Sequence, residues 1–215
     1  VLGLAWKHMA AIELGALGGI FMLYFVGKAA PDALPRFGTW ASRMESFAGF
    51  ATGQDAAQTS AEDYQIELAQ VAIHKGGLFP SGPASGTSRN FLPHPYSDMI
   101  FAFIVEEWGA ILGGLGLVLL YLALLFGASR TAIKCASAFG RNLILGLGMM
   151  ITVQALVNMG VSVRLFPTTG QPLPLVSYGG TSLLFTCLSI GMMLAVTRVV
   201  SLGDQPATTG ANTLT

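Results

Sequence analysis

The sequence predicts an all-α polytopic membrane protein, and three observations predict it. Of 215 residues, 53% are hydrophobic and only 10% charged, where a soluble domain carries roughly 25% charged residues. Mean hydropathy is +0.62. The apolar residues also gather into four runs, Met9–Val26, Met99–Phe126, Leu143–Phe166 and Val176–Val200, each near the ~20 helical residues that cross ~30 Å of hydrocarbon. Net charge is zero, so no basic excess is available to neutralise phosphates and a nucleic-acid partner is excluded. Membrane lipids are the expected surroundings.

The first run is the weakest, since Glu13 lies inside it and glycines crowd it. The chain starts at Val1 with no basic n-region or cleavage site, so it is expected to begin partway through a larger protein. The segment 28–98, about 70 residues, is too long for a bare connection. Within it Phe37–Phe50 and Asp63–His74 have helical spacing of apolar residues. In the second, Tyr64, Leu68, Val71 and Ala72 are expected to share the apolar face, with Glu62 and Asp63 where the helix dipole favours acids. Thr52–Ala61 and Gly76–Ser88 are polar or rich in Gly and Pro. The segment reads as an ordered subdomain with two short helices lying on the membrane.

The second run is long enough to project a turn or more beyond the bilayer. Glu106 and Glu107 sit inside it, and carboxylates in an apolar helix mark a functional hypothesis. After the third run, Phe166–Pro174 carries three prolines, which forbid a continuing helix. Irregular backbone at that depth is tolerated only against protein or a wet cavity. Ser177–Ser182, SYGGTS, opens the last helix, and residues 203–215 read as a disordered tail. Arg130, Lys134 and Arg141 fall in the acid-free connection Gly127–Asn142, which places it in the cytoplasm. The 28–98 loop and the connection around Arg164–Leu175 then lie outside. Cys135 and Cys187 suggest neither a disulfide framework nor zinc, and His74 and His94 have no metal-ligand spacing. Trp6, Trp40 and Trp108 suit interfacial anchoring.

Five features carry candidate chemistry. Asp98, at the boundary between polar loop and apolar run, suits a general base or, with Ser97, a helix cap. Glu106 lies ~12 Å of helix rise beyond it and about 80° around, with Glu107 facing away. That is too far for a carboxylate pair of the glycosidase kind. Glu106 therefore either sets cavity polarity or binds a cation, or is satisfied by another helix's arginine or amide. Gln154 and Asn158, at i and i+4, share a helix face, for interhelical hydrogen bonds or for a cavity wall. Ser177, Gly179 and Gly180 present backbone N–H groups at a helix N-terminus, which suits an anion such as a diphosphate, or form a tight turn for close packing. Arg164 pairs with a lipid phosphate or snorkels to the headgroups.

Four motifs, in order, resemble the SEDS family (FtsW, RodA, SpoVE), membrane glycosyltransferases that polymerise peptidoglycan. They are YQIELAQVAIHKGGLF at Tyr64–Phe79, LPHPYSDMIFAFIVEEWG at Leu92–Gly109, QALVNMG at Gln154–Gly160 and LFPTTGQPLPLVSYGGTSLL at Leu165–Leu184. Their wording is nearer the division branch than the elongation branch. The resemblance implies ten transmembrane helices, of which this chain holds the last four. It implies lipid II as donor and acceptor, a class B penicillin-binding protein as partner, and a bacterial inner-membrane location with the catalytic loop outside. On it Asp98 is the catalytic base and the reaction inverts the anomeric carbon. The leaving polyprenyl diphosphate would be stabilised by an arginine, by helix N-termini or by a divalent cation, magnesium or manganese. The family's loop motif reads roughly LPEAHTDFIFA, so His94 and Tyr96 depart from it, as does Thr169 where a lysine is frequent. Two other readings stand beside it. One is a lipid-linked precursor transporter (a flippase), and the other a non-catalytic division scaffold.

Overall fold

The computed structural model describes residues 6–29, 35–53, 61–83, 85–88, 98–135 and 137–203, and every regular element among them is helical. The chain falls into two compact units, Val1–Thr59 and Ser60–Thr215. The expected disordered tail lies outside the described residues from 204 on.

The first unit holds α1 (Trp6–Ala29) and α2 (Pro35–Thr52). Pro35 starts α2, where its missing N–H costs nothing, and Gly53, at φ +68°, ends it by donating to Phe50 O at 3.2 Å. Ile12, Leu14, Leu17, Phe21, Met22 and Phe25 of α1 are all more than half exposed. An apolar helix bare on so many sides needs lipid or other protein around it. Its described apolar stretch, Ala10–Gly19, is shorter than a crossing.

The second unit holds α3 (Ala61–Gly76), α4 (Ile100–Trp108), a π-helical segment Gly109–Leu115, α5 (Gly116–Lys134), α6 (Ala138–Ser162) and α7 (Gly180–Gly203). Three runs, Ile100–Lys134, Ala138–Ser162 and Gly180–Arg198, are long and apolar enough to cross a membrane. The first is not one straight span. A Cβ on Gly113 would lie 2.7 Å from the carbonyl oxygen of Ile104, nine residues earlier, whereas straight helix of that length rises ~13.5 Å. A Cβ on Gly114 would likewise meet Val105 Cγ2 at 3.6 Å. The chain therefore doubles back at Gly109, and α4 packs against the π-helical segment that leads into α5, as a helical hairpin. Gly109 makes the turn at φ +74°, a conformation cheap only for glycine.

The helix bounds correct the expectation elsewhere. The inner connection shrinks to 135–137, because α5 runs on to Lys134 and Ser137 caps α6 by accepting from Gly140 N. Arg130 and Lys134 therefore ride on α5, and Arg141 on the first turn of α6. The α6 helix stops at Ser162, four residues early, in a Schellman turn. Leu165 N donates to Gly160 O at 2.8 Å and Arg164 N to Val161 O at 3.0 Å. The Phe166 ring lies over Gly160, 2.6 Å from where a Cβ would be. Between α5 and α6, Gly148 would place a Cβ 2.9 Å from Ala128 Cβ, and Ala128, Ala132 and Ile144 form a buried cluster, the small-residue contact typical of membrane helices.

The two expected helices of the long segment are present and longer than read, and α3 uses half of the face expected of it. Ala72 is buried and Leu68 packs against the core, but Tyr64 and Val71 are exposed, at 47% and 44%. Ile66 and Ala69 join Ala72 on the buried face, against Met99, Ala102, Phe103 and Val161. Gly76 completes that face, since a Cβ there would strike Val105 O at 2.2 Å. Alanines and a glycine carry little hydrophobicity each, but they let two helices approach closely, and the sequence-level reading weighed bulk over fit.

Candidate active site

Asp98 immediately precedes α4 and is partly buried. The N-cap position is taken by Met99, which makes no side-chain cap. Ser97, His94 and Tyr96 lie outside the described residues. The Asp98 backbone is held by α6. The Asn158 amide donates to Asp98 O at 2.9 Å and to Gln171 O at 2.6 Å. Four residues earlier, Gln154 Nε2 donates to Pro172 O at 3.2 Å. Four residues later, Ser162 Oγ donates to Asn158 O at 3.2 Å and faces Met99 Sδ at 3.9 Å. A stripe at i, i+4 and i+8 of α6 thus engages backbone rather than another helix's side chains.

The proline-rich loop is held from three sides. Tyr121 OH, from α5, donates to Pro174 O. Leu173 N donates to Ser177 Oγ at 2.7 Å, and Ser177 N returns a bond to Leu173 O at 3.0 Å. Prolines remove N–H groups from this loop, so its carbonyls need donors from outside, and Asn158, Gln154 and Tyr121 supply them. Leu173 is 1% exposed and joins Phe101, Val105 and Tyr121 in the core. The loop is therefore built into the bundle. A tight turn does exist at 173–177, but close packing does not explain the glycines after it. A Cβ on Gly180 would meet nothing within 4 Å, and one on Gly179 only Ser182 Cβ at 3.6 Å and Pro172 Cγ at 4.0 Å. The α7 N-terminus therefore stands open beside Pro172.

Glu106 lies apart from this group, at the tip of the hairpin, and is 5% exposed. Its partner is neither an arginine nor an amide of another helix. Oε1 accepts from Thr87 N at 3.2 Å, Ser88 N at 3.3 Å and Ser88 Oγ at 2.9 Å, while Oε2 is buried without a hydrogen bond. A Cβ on Gly86 would sit 3.0 Å from Oε2 and 3.2 Å from Glu107 Cγ, so this stretch must pass as bare backbone. The same loop closes the helix ends at the hairpin turn. Ser81 N and Gly82 N donate to Glu107 O, at 3.1 and 3.2 Å, and Gly77 O and Leu78 O accept from Ala110 N and Ile111 N, at 2.9 and 3.3 Å. Helix ends leave such groups without partners, and residues 77–88 provide them. Arg164, at φ +58°, ends α6 near the other loop.

Among known proteins, a family model described as "Cell cycle protein", covering FtsW, RodA and SpoVE, matches residues 1–201. The chain belongs to this family. It is similar to the "Probable peptidoglycan glycosyltransferase FtsW" of Saccharophagus degradans, at 39% identity over 89% of this chain and 46% of that protein. The FtsW of Thioalkalivibrio sulfidiphilus, under the same name, is 40% identical over 63% of this chain and 34% of that one. "Stage V sporulation protein E" of Bacillus subtilis is 38% identical over 63% and 37%. The chain spans less than half the length of these curated relatives. A solved structure described as "Structural coordination of polymerization and crosslinking by a peptidoglycan synthase complex" matches with TM-score 0.60 and 28% identity, over 92% of this chain and 51% of that one.

Seen within the FtsW/RodA/SpoVE family, the motif residues fall into two sets. Asp98, Gln154, Asn158 and Ser177 meet around the proline-rich loop, with Gly179 and Gly180 beside it, whereas Glu106 belongs to a separate clasp. Sequence reading missed Tyr121, Gln171, Thr87 and Ser88. The last two had a signal. A carboxylate buried in an apolar run needs donors, and the small polar run GTS at Gly86–Ser88 is one stretch able to supply them.

Proposed function

We propose that this chain is the C-terminal part of a peptidoglycan glycosyltransferase, polymerising lipid II outside the bacterial inner membrane during division. The observation that carries the reading is the single end of the bundle at which Asp98, the proline-rich loop and the open α7 N-terminus lie, joined through Asn158, Gln171 and Pro172. Family membership and relatives named as peptidoglycan glycosyltransferases support it.

In this reading Asp98 takes the proton from the 4-hydroxyl of the acceptor sugar as that oxygen attacks the anomeric carbon of the donor. The bond to the polyprenyl diphosphate breaks from the opposite face, so the centre inverts. Developing charge on the diphosphate is met by backbone N–H groups at Gly179, Gly180 and Thr181, and Arg164 is the nearest candidate arginine in sequence. Among the described residues no three His, Cys, Asp or Glu side chains converge, and Asp98 is the only carboxylate between residues 98 and 105. A divalent cation does not fit these residues alone, and any cage for one draws ligands from elsewhere. A class B penicillin-binding protein is the proposed partner, which the likeness to a peptidoglycan synthase complex supports.

A transporter is disfavoured by the same geometry. The broken helix at Gly109 does not present free termini to a cargo, because residues 77–82 fill them. The test is reconstitution of the full-length parent in liposomes with lipid II. One polyprenyl diphosphate released per disaccharide added is expected. Lipid II crossing the bilayer without diphosphate release would overturn the assignment in favour of transport.

A further inference from the structure

We infer that Asn158 is a positioning residue, a two-donor clamp that fixes the Asp98 turn to the proline-rich loop and so sets where the base stands. This rests on the reading of Asp98 as the base. Both acceptors are backbone carbonyls, Asp98 O and Gln171 O, 60 and 13 residues away in sequence. A carbonyl accepts only, so the group between them must offer two N–H bonds from one atom. A primary amide does this, whereas an ionised carboxylate has no donor and a hydroxyl has one. The side chain is 2% exposed, and Oδ1 has no partner. An orphaned buried oxygen is costly, so the site keeps the amide for its donors and tolerates its acceptor.

Asp98 stands one residue before the N-cap Met99, which makes no side-chain cap. Toward this turn, Ser162 Oγ meets the Met99 sulfur at 3.9 Å. Gln154 and Tyr121 hold Pro172 and Pro174, which anchors the loop but not the aspartate turn. Asn158 is therefore a bond through which a loop fixed by α5 and α6 holds the Asp98 turn. Misplacing a catalytic group by ~1 Å costs on the order of 10²-fold in rate.

The experiment uses the full-length parent with Asn158→Leu, close in volume but without donors, and Asn158→Ala, which also removes the orphaned oxygen and suits a helix. If the leucine variant does not fold, the alanine variant carries the test. Hydrogen exchange is followed in the peptide covering residues 98–103, and lipid II polymerisation is measured per folded molecule, with Asp98→Asn alongside. The clamp predicts exchange in that peptide faster by about tenfold or more, with kcat down about 10- to 100-fold and KM within about twofold. Unchanged exchange overturns the clamp. Faster exchange with unchanged kcat, while Asp98→Asn is inactive, overturns positioning and leaves the base assignment standing. If Asp98→Asn polymerises at the full rate, the base reading falls and the positioning claim falls with it.

Discussion

Glu106 shows how much one side chain can organise. It lies in an apolar stretch, yet its oxygen gathers two backbone N–H groups and a hydroxyl from residues 87 and 88, and hydrogen bonds to a charged group are worth roughly 1.5–3 kcal/mol each. Glu106→Ala leaves those donors buried and is expected to destabilise the full-length chain by about 3 kcal/mol. It should also expose the 77–88 loop to limited proteolysis. Glu106→Gln keeps an acceptor at Oε1 but puts an amide nitrogen where Oε2 is buried without a partner, so it should cost less than the alanine change, about 1–2 kcal/mol. Equal losses from the two variants would mean that the charge, not the acceptor, holds the loop. Arg164 is a second case. It occupies the left-handed position that ends α6, φ +58°, where glycine is the usual choice. Both Arg164→Gly and Arg164→Ala delete the guanidinium, so their difference isolates the backbone. Gly should be more stable than Ala by about 1 kcal/mol in thermal unfolding, and no difference would mean that the turn relaxes without it.

At the scale of elements, the sequence was legible where periodicity and length decide, and illegible where the chain reverses. Runs of apolar residues located α5, α6 and α7, and helical spacing located α2 and α3. The hairpin at Gly109 was hidden because apolar residues continue on both sides of it, so hydropathy reads one long span. A signal was present: two carboxylates followed by Trp108 and Gly109, with glycine at the position that ends helices. Gly109→Ala tests the turn. The new Cβ would meet Phe79 C at 2.6 Å and Leu78 O at 2.8 Å, all backbone, at a φ that alanine resists. A loss of about 3 kcal/mol or more is expected, read as failure to accumulate or a lowered melting temperature. Near wild-type stability would contradict the hairpin. Half of the buried face of α3 was missed for a related reason, since Ala69 and Gly76 bury by fitting rather than by bulk. Loop-to-helix bonds such as Ser88 to Glu106 join positions 18 apart, beyond what local pattern can reach.

For the whole molecule, the candidate site was half legible. Motif resemblance picked out Asp98, Gln154, Asn158 and the SYGG turn, and all of them lie at one end of the bundle. Geometry then changed their roles. The two amides hold backbone carbonyls, Ser177 closes its own turn, and Glu106 secures a loop well away from Asp98. The partly buried aspartate turn and the exposed start of α7 both lie at that end. The most direct test is lipid II polymerisation by the full-length parent with its transpeptidase, comparing wild type with Asp98→Asn. The substitution keeps the shape and removes the base. The account predicts that glycan strands fall by about 10²-fold or more while expression and partner binding persist. Strands formed at the wild-type rate would contradict it, and Asp98 would then be a structural turn residue with the chemistry elsewhere.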